Sequence, residues 1–132
     1  MVRQKKKAEF LTEVELEFMT RLWELGEGTV RDVLANLAPD RDLAYTSAAT
    51  IMRILEQKGF VTSTKQGKTF LYRALLSKDA YQTRSLKDLS EKLFDNTPAT
   101  LVARLVDDND LSKDALNEIS ELLDRRMKND SD

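Results

Sequence analysis

Mainly α with one small β-hairpin is the fold class that this 132-residue sequence predicts, and three observations predict it. Apolar residues recur at a period near 3.6 through most of the chain. The pattern changes only between residues 60 and 74, where β-branched and aromatic residues gather around a glycine-bearing turn. The helical stretches open on Thr or Ser and stop at Gly or Pro.

Residues 1–10 form a basic leader whose core, Arg-Gln-Lys-Lys-Lys at residues 3–7, has nothing apolar to pack. It reads either as a disordered terminus or as an arm along a polyanion backbone. The first helix is expected over residues 13–25. Thr12 caps it, Glu15 reaches back to complete a capping box, and Gly26 suits the left-handed position that ends it. Leu16, Phe18, Met19, Leu22 and Trp23 supply a broad buried stripe, with Trp23 a core residue before it is a ligand platform.

The second helix starts after Thr29, with Asp32 at its third position and Val30, Val33, Leu34 and Leu37 facing inward. Pro39 prevents it from continuing. The third helix lies within residues 42–59 and turns Ala48, Ile51, Met52 and Leu55 to one side, at i, i+3, i+4 and i+7. Its other side carries Thr46, Thr50, Arg53 and Gln57, flanked by Ser47 and Ala49. That outer face is short, polar and nearly free of acids. By itself it is as consistent with an ordinary solvated surface as with a surface that meets base edges and phosphates.

Two segments, residues 60–65 and 69–74, then read as a hairpin with Lys65, Gln66, Gly67 and Lys68 at its tip. Beyond it, Ser77 caps a helix to about residue 94 bearing Tyr81, Leu86, Leu89 and Leu93. Pro98 opens a shorter helix with Leu101, Val102, Leu105 and Val106, and Ser112 caps a last one with Leu116, Ile119, Leu122 and Leu123. These three amphipathic helices have no evident core of their own. A second copy of the chain is the economical partner, with packing back on the same protomer as the alternative.

Charge and composition restrict the function. The formal net charge is −2, yet residues 41–73 hold six basic side chains against two acidic ones, and local sign decides where a polyanion docks. The chain has no Cys and no His, so it offers no thiolate, no disulfide and no imidazole base. Nothing in it specifies an enzyme, a cofactor, a metal site or a small-molecule ligand. No apolar run reaches the roughly 18 residues of a membrane span, and the leader lacks a signal peptide's apolar core, so a cytoplasmic protein is expected.

Three helices followed by a basic-tipped hairpin is the order of a winged helix-turn-helix, in which the third helix enters the DNA major groove and the hairpin touches the backbone. The domain plan is therefore a leader at 1–10, a winged helix at 11–76 and a helical dimerisation region at 77–132. Bases are expected to meet some of Thr46, Ser47, Ala49, Thr50 and Arg53. Phosphates are expected at Arg41, Tyr45, Lys58, Lys65, Lys68 and Arg73. The dimer interface is assigned to Leu86, Leu89, Leu93, Leu101, Leu105, Leu116, Ile119, Leu122 and Leu123. A winged helix used as a protein-interaction module is the other reading, and it calls for an acidic or apolar outer face.

Three blocks carry a family resemblance: LTEVELEFMTRLWELGEGTVRDV, RDLAYTSAATIMRILEQKGFV and KQGKTFLYRALLSKDAY. In that order and spacing the chain resembles the penicillinase and methicillin-resistance repressors and their copper-responsive relatives, the BlaI/MecI/CopY type, over about residues 11–123. The resemblance implies a homodimeric transcriptional repressor on a dyad-symmetric DNA operator, read by residues 46–58 and the wing at 65–68. It also marks departures. The Asn-Phe bond cut in penicillinase-type members aligns with Arg104-Leu105 here, and the copper branch's cysteine-rich metal site has no counterpart.

Overall fold

A computed structural model describes residues 10–131; the basic leader expected at residues 1–10 lies outside them apart from Phe10. The elements run α1 (Glu13–Leu25), β1 (Glu27–Gly28), α2 (Val30–Ala35), α3 (Tyr45–Gln57), β2 (Val61–Gln66), β3 (Thr69–Ala74), α4 (Lys78–Leu93), α5 (Pro98–Val106) and α6 (Lys113–Asp130). The chain divides into two compact units after Ser85, within α4.

Local chemistry fixes the helix starts. Thr12 and Thr29 each accept from the third amide of their helix while Glu15 and Asp32 return the bond, so α1 and α2 both open on complete capping boxes. Each box is worth about 1 kcal/mol against alanine at the cap. α1 stops at Gly26, whose φ of 85° is readily reached without a Cβ and whose amide bonds back to the Leu22 carbonyl at 2.8 Å. The sheet has the order β1-β3-β2, entirely antiparallel. Gln66 pairs with Thr69, leaving Gly67-Lys68 as a two-residue turn with Gly67 at φ 63°, the hand that matches strand twist.

In the first unit Phe18, Met19, Leu22, Val33, Ala48, Met52 and Leu55 are fully buried, joined by Val30, Leu37, Phe60, Val61 and Tyr72. The three helices thus share one core with the hairpin. The first turns of α4 are tied to that core by Tyr81, which packs edge-on against Phe60 with ring centroids 5.7 Å apart and whose hydroxyl oxygen accepts from the Leu11 amide at 2.9 Å. The Trp23 indole donates to the Leu76 carbonyl at 2.9 Å and is half-buried, in keeping with a core role.

The structure corrects the α1 stripe at one position. Leu16, expected inside, is 41% exposed, and Glu15 is buried in its place. Positions 15, 18, 19 and 22 form the inward face at i, i+3, i+4 and i+7, so an acid occupies a core-facing site. Lys58 makes that tolerable: its ammonium donates to Glu15 Oε1 at 2.7 Å and to the Phe10 carbonyl at 3.3 Å.

Burial of the Glu15 carboxyl works against ionisation, but the hydrogen bonds from Lys58 and the Thr12 amide outweigh it and hold the group below the ordinary 4.5. A lowered carboxyl pKa stabilises the fold in full above that ordinary value, and the contribution fades as pH falls through the lowered one. Glu15→Gln keeps the cap but removes the negative charge that Lys58 faces. It is expected to lose about 1.5 to 3 kcal/mol at neutral pH, and its denaturant-unfolding free energy should fall less than that of the parent between pH 6 and 3. Parallel pH profiles for the two proteins would contradict this account.

In the second unit no apolar side chain among the described residues is buried. Thr97 precedes Pro98 at the first position of α5, and the Ser112 hydroxyl accepts from the Ala115 amide at 3.0 Å to start α6. Between α4 and α5, Asp95 and Asn96 both take positive φ, which short polar side chains tolerate. The Asn96 amide closes back on the Ser90 carbonyl at 2.8 Å. No helix among the described residues is long and apolar enough to cross a membrane.

Candidate nucleic-acid interface

The packing of α3 determines what it presents. With Ala48, Met52 and Leu55 buried and Ile51 half-buried, the opposite face exposes Thr46, Ser47, Thr50, Arg53 and Gln57, while Ala49 is half-buried at its edge. The first turn of α3 contains no acid, and its N-cap, Ala44, makes no side-chain hydrogen bond. The Thr50 hydroxyl bonds back to the Thr46 carbonyl at 3.0 Å, and the Arg53 guanidinium lies 3.5 Å from Thr50 Oγ1. Such a hydroxyl-rich first turn with open amides suits an anionic oxygen.

The hairpin stands beside this helix. Tyr45, Ala49, Arg53 and Glu56 of α3 and Ser63, Lys68, Thr69, Phe70 and Tyr72 of the hairpin line one open groove of about 360 Å³. Arg53 and the wing tip therefore address the same side of the first unit. Glu56, the acid in this groove, accepts from the Ser63 hydroxyl, whose oxygen lies 3.0 and 3.2 Å from the two carboxylate oxygens. Burial, and after it the Glu56 charge, push the Tyr72 phenol above its ordinary value, so it stays neutral across the physiological range.

The cations expected at phosphates fall into two groups. Lys65 and Lys68 are exposed at the hairpin tip, with the Lys65 ammonium 5.8 Å from the centre of the Phe70 ring. Arg41 and Arg73 are exposed but face carboxylates, Arg41 bonded to Glu17 and Arg73 3.9 Å from Glu27. Lys58, also expected at a phosphate, is half-buried and held by Glu15 where α3 ends against α1.

Two residues outside the expected set belong to this surface. Phe70 is 46% exposed on the wing, an aromatic ring where a solvated strand face would ordinarily be polar. Arg31 of α2 lies over the Tyr45 ring, its guanidinium carbon 4.7 Å from the centroid. Alternation along β3 was the available signal for Phe70. Nothing local marked Arg31, which meets Tyr45 only through the packing of α2 on α3.

In the second unit, Leu86, Leu89, Leu93, Leu105, Leu116, Leu122 and Leu123 of the expected dimer set are exposed, and Leu101 and Ile119 are half-buried. Val102, Val106 and Met127 of the same helices are exposed as well. Among the described residues no group of three or more acidic side chains is placed to hold a metal ion.

Residues 11–125 match the family described as "Penicillinase repressor". The chain is 29% identical over 113 residues to an uncharacterised 16.5 kDa protein of Latilactobacillus sakei, a match spanning 86% of this chain and 77% of that one. It is 23% identical over 116 residues to the methicillin resistance regulatory protein MecI of Staphylococcus aureus, spanning 88% and 94%. Among solved structures, the DNA-binding domain of the repressor BlaI superposes with a TM-score of 0.51 at 23% identity, over 59% of this chain and 94% of that domain. That last likeness bears on the fold alone.

Proposed function

Because this chain belongs to the penicillinase repressor family, we propose that it is a DNA-binding transcriptional repressor that acts as a homodimer on a dyad-symmetric operator. It is a regulator and not an enzyme. The observation that carries the reading is the shared groove, in which Arg53 of the reading helix and Lys68 of the wing face one side. A duplex seated there meets α3 with its major groove and the hairpin with its backbone. The alternative use of a winged helix, as a protein-interaction module, calls for an acidic or apolar outer face, and the exposed Thr46, Ser47, Thr50, Arg53 and Gln57 are neither.

Within this reading Arg53 contacts a base, Thr46, Ser47 and Thr50 contact base edges or nearby phosphate, and Ala49 makes room for the approach. Lys65 and Lys68 hold phosphates, and Arg41 and Arg73 join them by exchanging their exposed carboxylate partners for phosphate. Such surface pairs are worth at most about 1 kcal/mol, so exchange is easy. The leucines of α4, α5 and α6 bury themselves against a second copy and so fix two reading helices about 34 Å apart. A cytoplasmic location goes with a DNA operator.

In vitro selection from random duplex DNA with the purified protein tests the whole reading at once. The expected product is a palindrome whose half-site centres lie about one helical turn apart. An asymmetric motif would remove the dimer, and no enrichment at all would return the molecule to the interaction-module reading.

A further inference from the structure

We propose that Arg31 is a DNA-backbone clamp held ready by the Tyr45 ring, so that α2 contributes a third contact element beside α3 and the wing. The inference rests on the DNA-binding reading and deepens it. Arg31 is exposed, lies 4.7 Å above the Tyr45 ring centre, and has no carboxylate partner among the described residues. Arg41, Arg73 and Lys58 each face a carboxylate. Tyr45 in turn lines the groove that Arg53 and Lys68 share, so the guanidinium over its ring lies next to that groove.

The chemistry favours a phosphate. A guanidinium stacked on an aromatic face keeps its N–H donors in its own plane, pointing outward in a fork that matches two phosphate oxygens. Stacking also removes rotamer freedom before binding, so less is lost when the contact forms. Tyr45 is thereby a positioning residue acting through its ring.

Anisotropy titrations of a labelled scrambled duplex and of the selected palindrome, each over a range of salt, provide the test. Arg31→Ala is expected to weaken both duplexes about fivefold to tenfold and to reduce the slope of log affinity against log salt by about 0.9, the value of one phosphate contact. Tyr45→Phe keeps the ring and should bind more tightly than Tyr45→Leu. Tyr45→Leu should bind about threefold more weakly with an unchanged slope, because the charge remains and only its placement is lost. A parent-like slope for Arg31→Ala in a protein whose parent binds DNA would overturn the clamp alone. Equal affinities for Tyr45→Phe and Tyr45→Leu would overturn the positioning role. A parent that binds neither duplex removes both this inference and the reading beneath it. Unfolding curves for the variants guard against a folding defect, which an exposed side chain at position 31 is not expected to cause.

Discussion

Replacing Leu122 and Leu123 together by glutamate is expected to halve the solution mass, from twice 15.1 kDa to 15.1 kDa, and to weaken operator binding by about two to four orders of magnitude. Both leucines are more than half exposed on α6, so within one protomer they support no core. Glutamate keeps the helix propensity of the segment while placing two charges where apolar contact is needed. The loss in affinity arises without touching a DNA contact. Two linked reading helices bind the second half-site at the effective concentration set by the linkage, and separated ones bind it at the bulk concentration. Sedimentation velocity and gel shift on the same preparations decide the matter. A variant that stays dimeric would move the interface to the other exposed leucines of α4 and α5. A monomer with undiminished operator affinity would end the dyad model.

The same surface explains what the sequence did and did not make legible. The helices and the hairpin were readable because each carries its own periodicity and its own punctuation: Thr12, Thr29, Ser77 and Ser112 at the starts, Gly26, Pro39 and Gly67 at the stops and turn. The outer face of α3 was readable for the same reason, since burying Ala48, Met52 and Leu55 leaves only one direction for Thr50 and Arg53. β1 was not, because two residues have no pattern and exist as a strand only by pairing with Tyr72 and Arg73.

Glu15 and Lys58 lie 43 positions apart, so neither an acid on an inward helical position nor a lysine diverted from solvent is visible until the two helices are packed. Arg31 and Tyr45 are a second instance. Pairwise chemistry between elements, in other words, is where a periodic reading stops: only packing sets Lys58 against Glu15 and Arg31 over Tyr45.

Arg53→Ala is expected to lower the ratio of operator to scrambled-DNA affinity by about 5- to 150-fold, the 1 to 3 kcal/mol that a bidentate arginine–guanine contact contributes to discrimination. The geometry supports placing the base contact here. Arg53 is exposed on the third turn of α3, one turn beyond Thr50, and its guanidinium makes a weak 3.5 Å approach to the Thr50 hydroxyl, with no carboxylate partner among the described residues. Lys68→Ala is the control, because a phosphate contact carries no sequence information. That variant should weaken operator and scrambled duplexes by one common factor and reduce the salt slope by about one. Arg53→Ala also removes a positive charge, so some loss on scrambled DNA accompanies the loss on operator, and the discriminating quantity is their ratio. If that ratio matched the parent's while both affinities fell, Arg53 would be a backbone contact, and base reading would pass to Thr46, Ser47 and Thr50 in the turns before it.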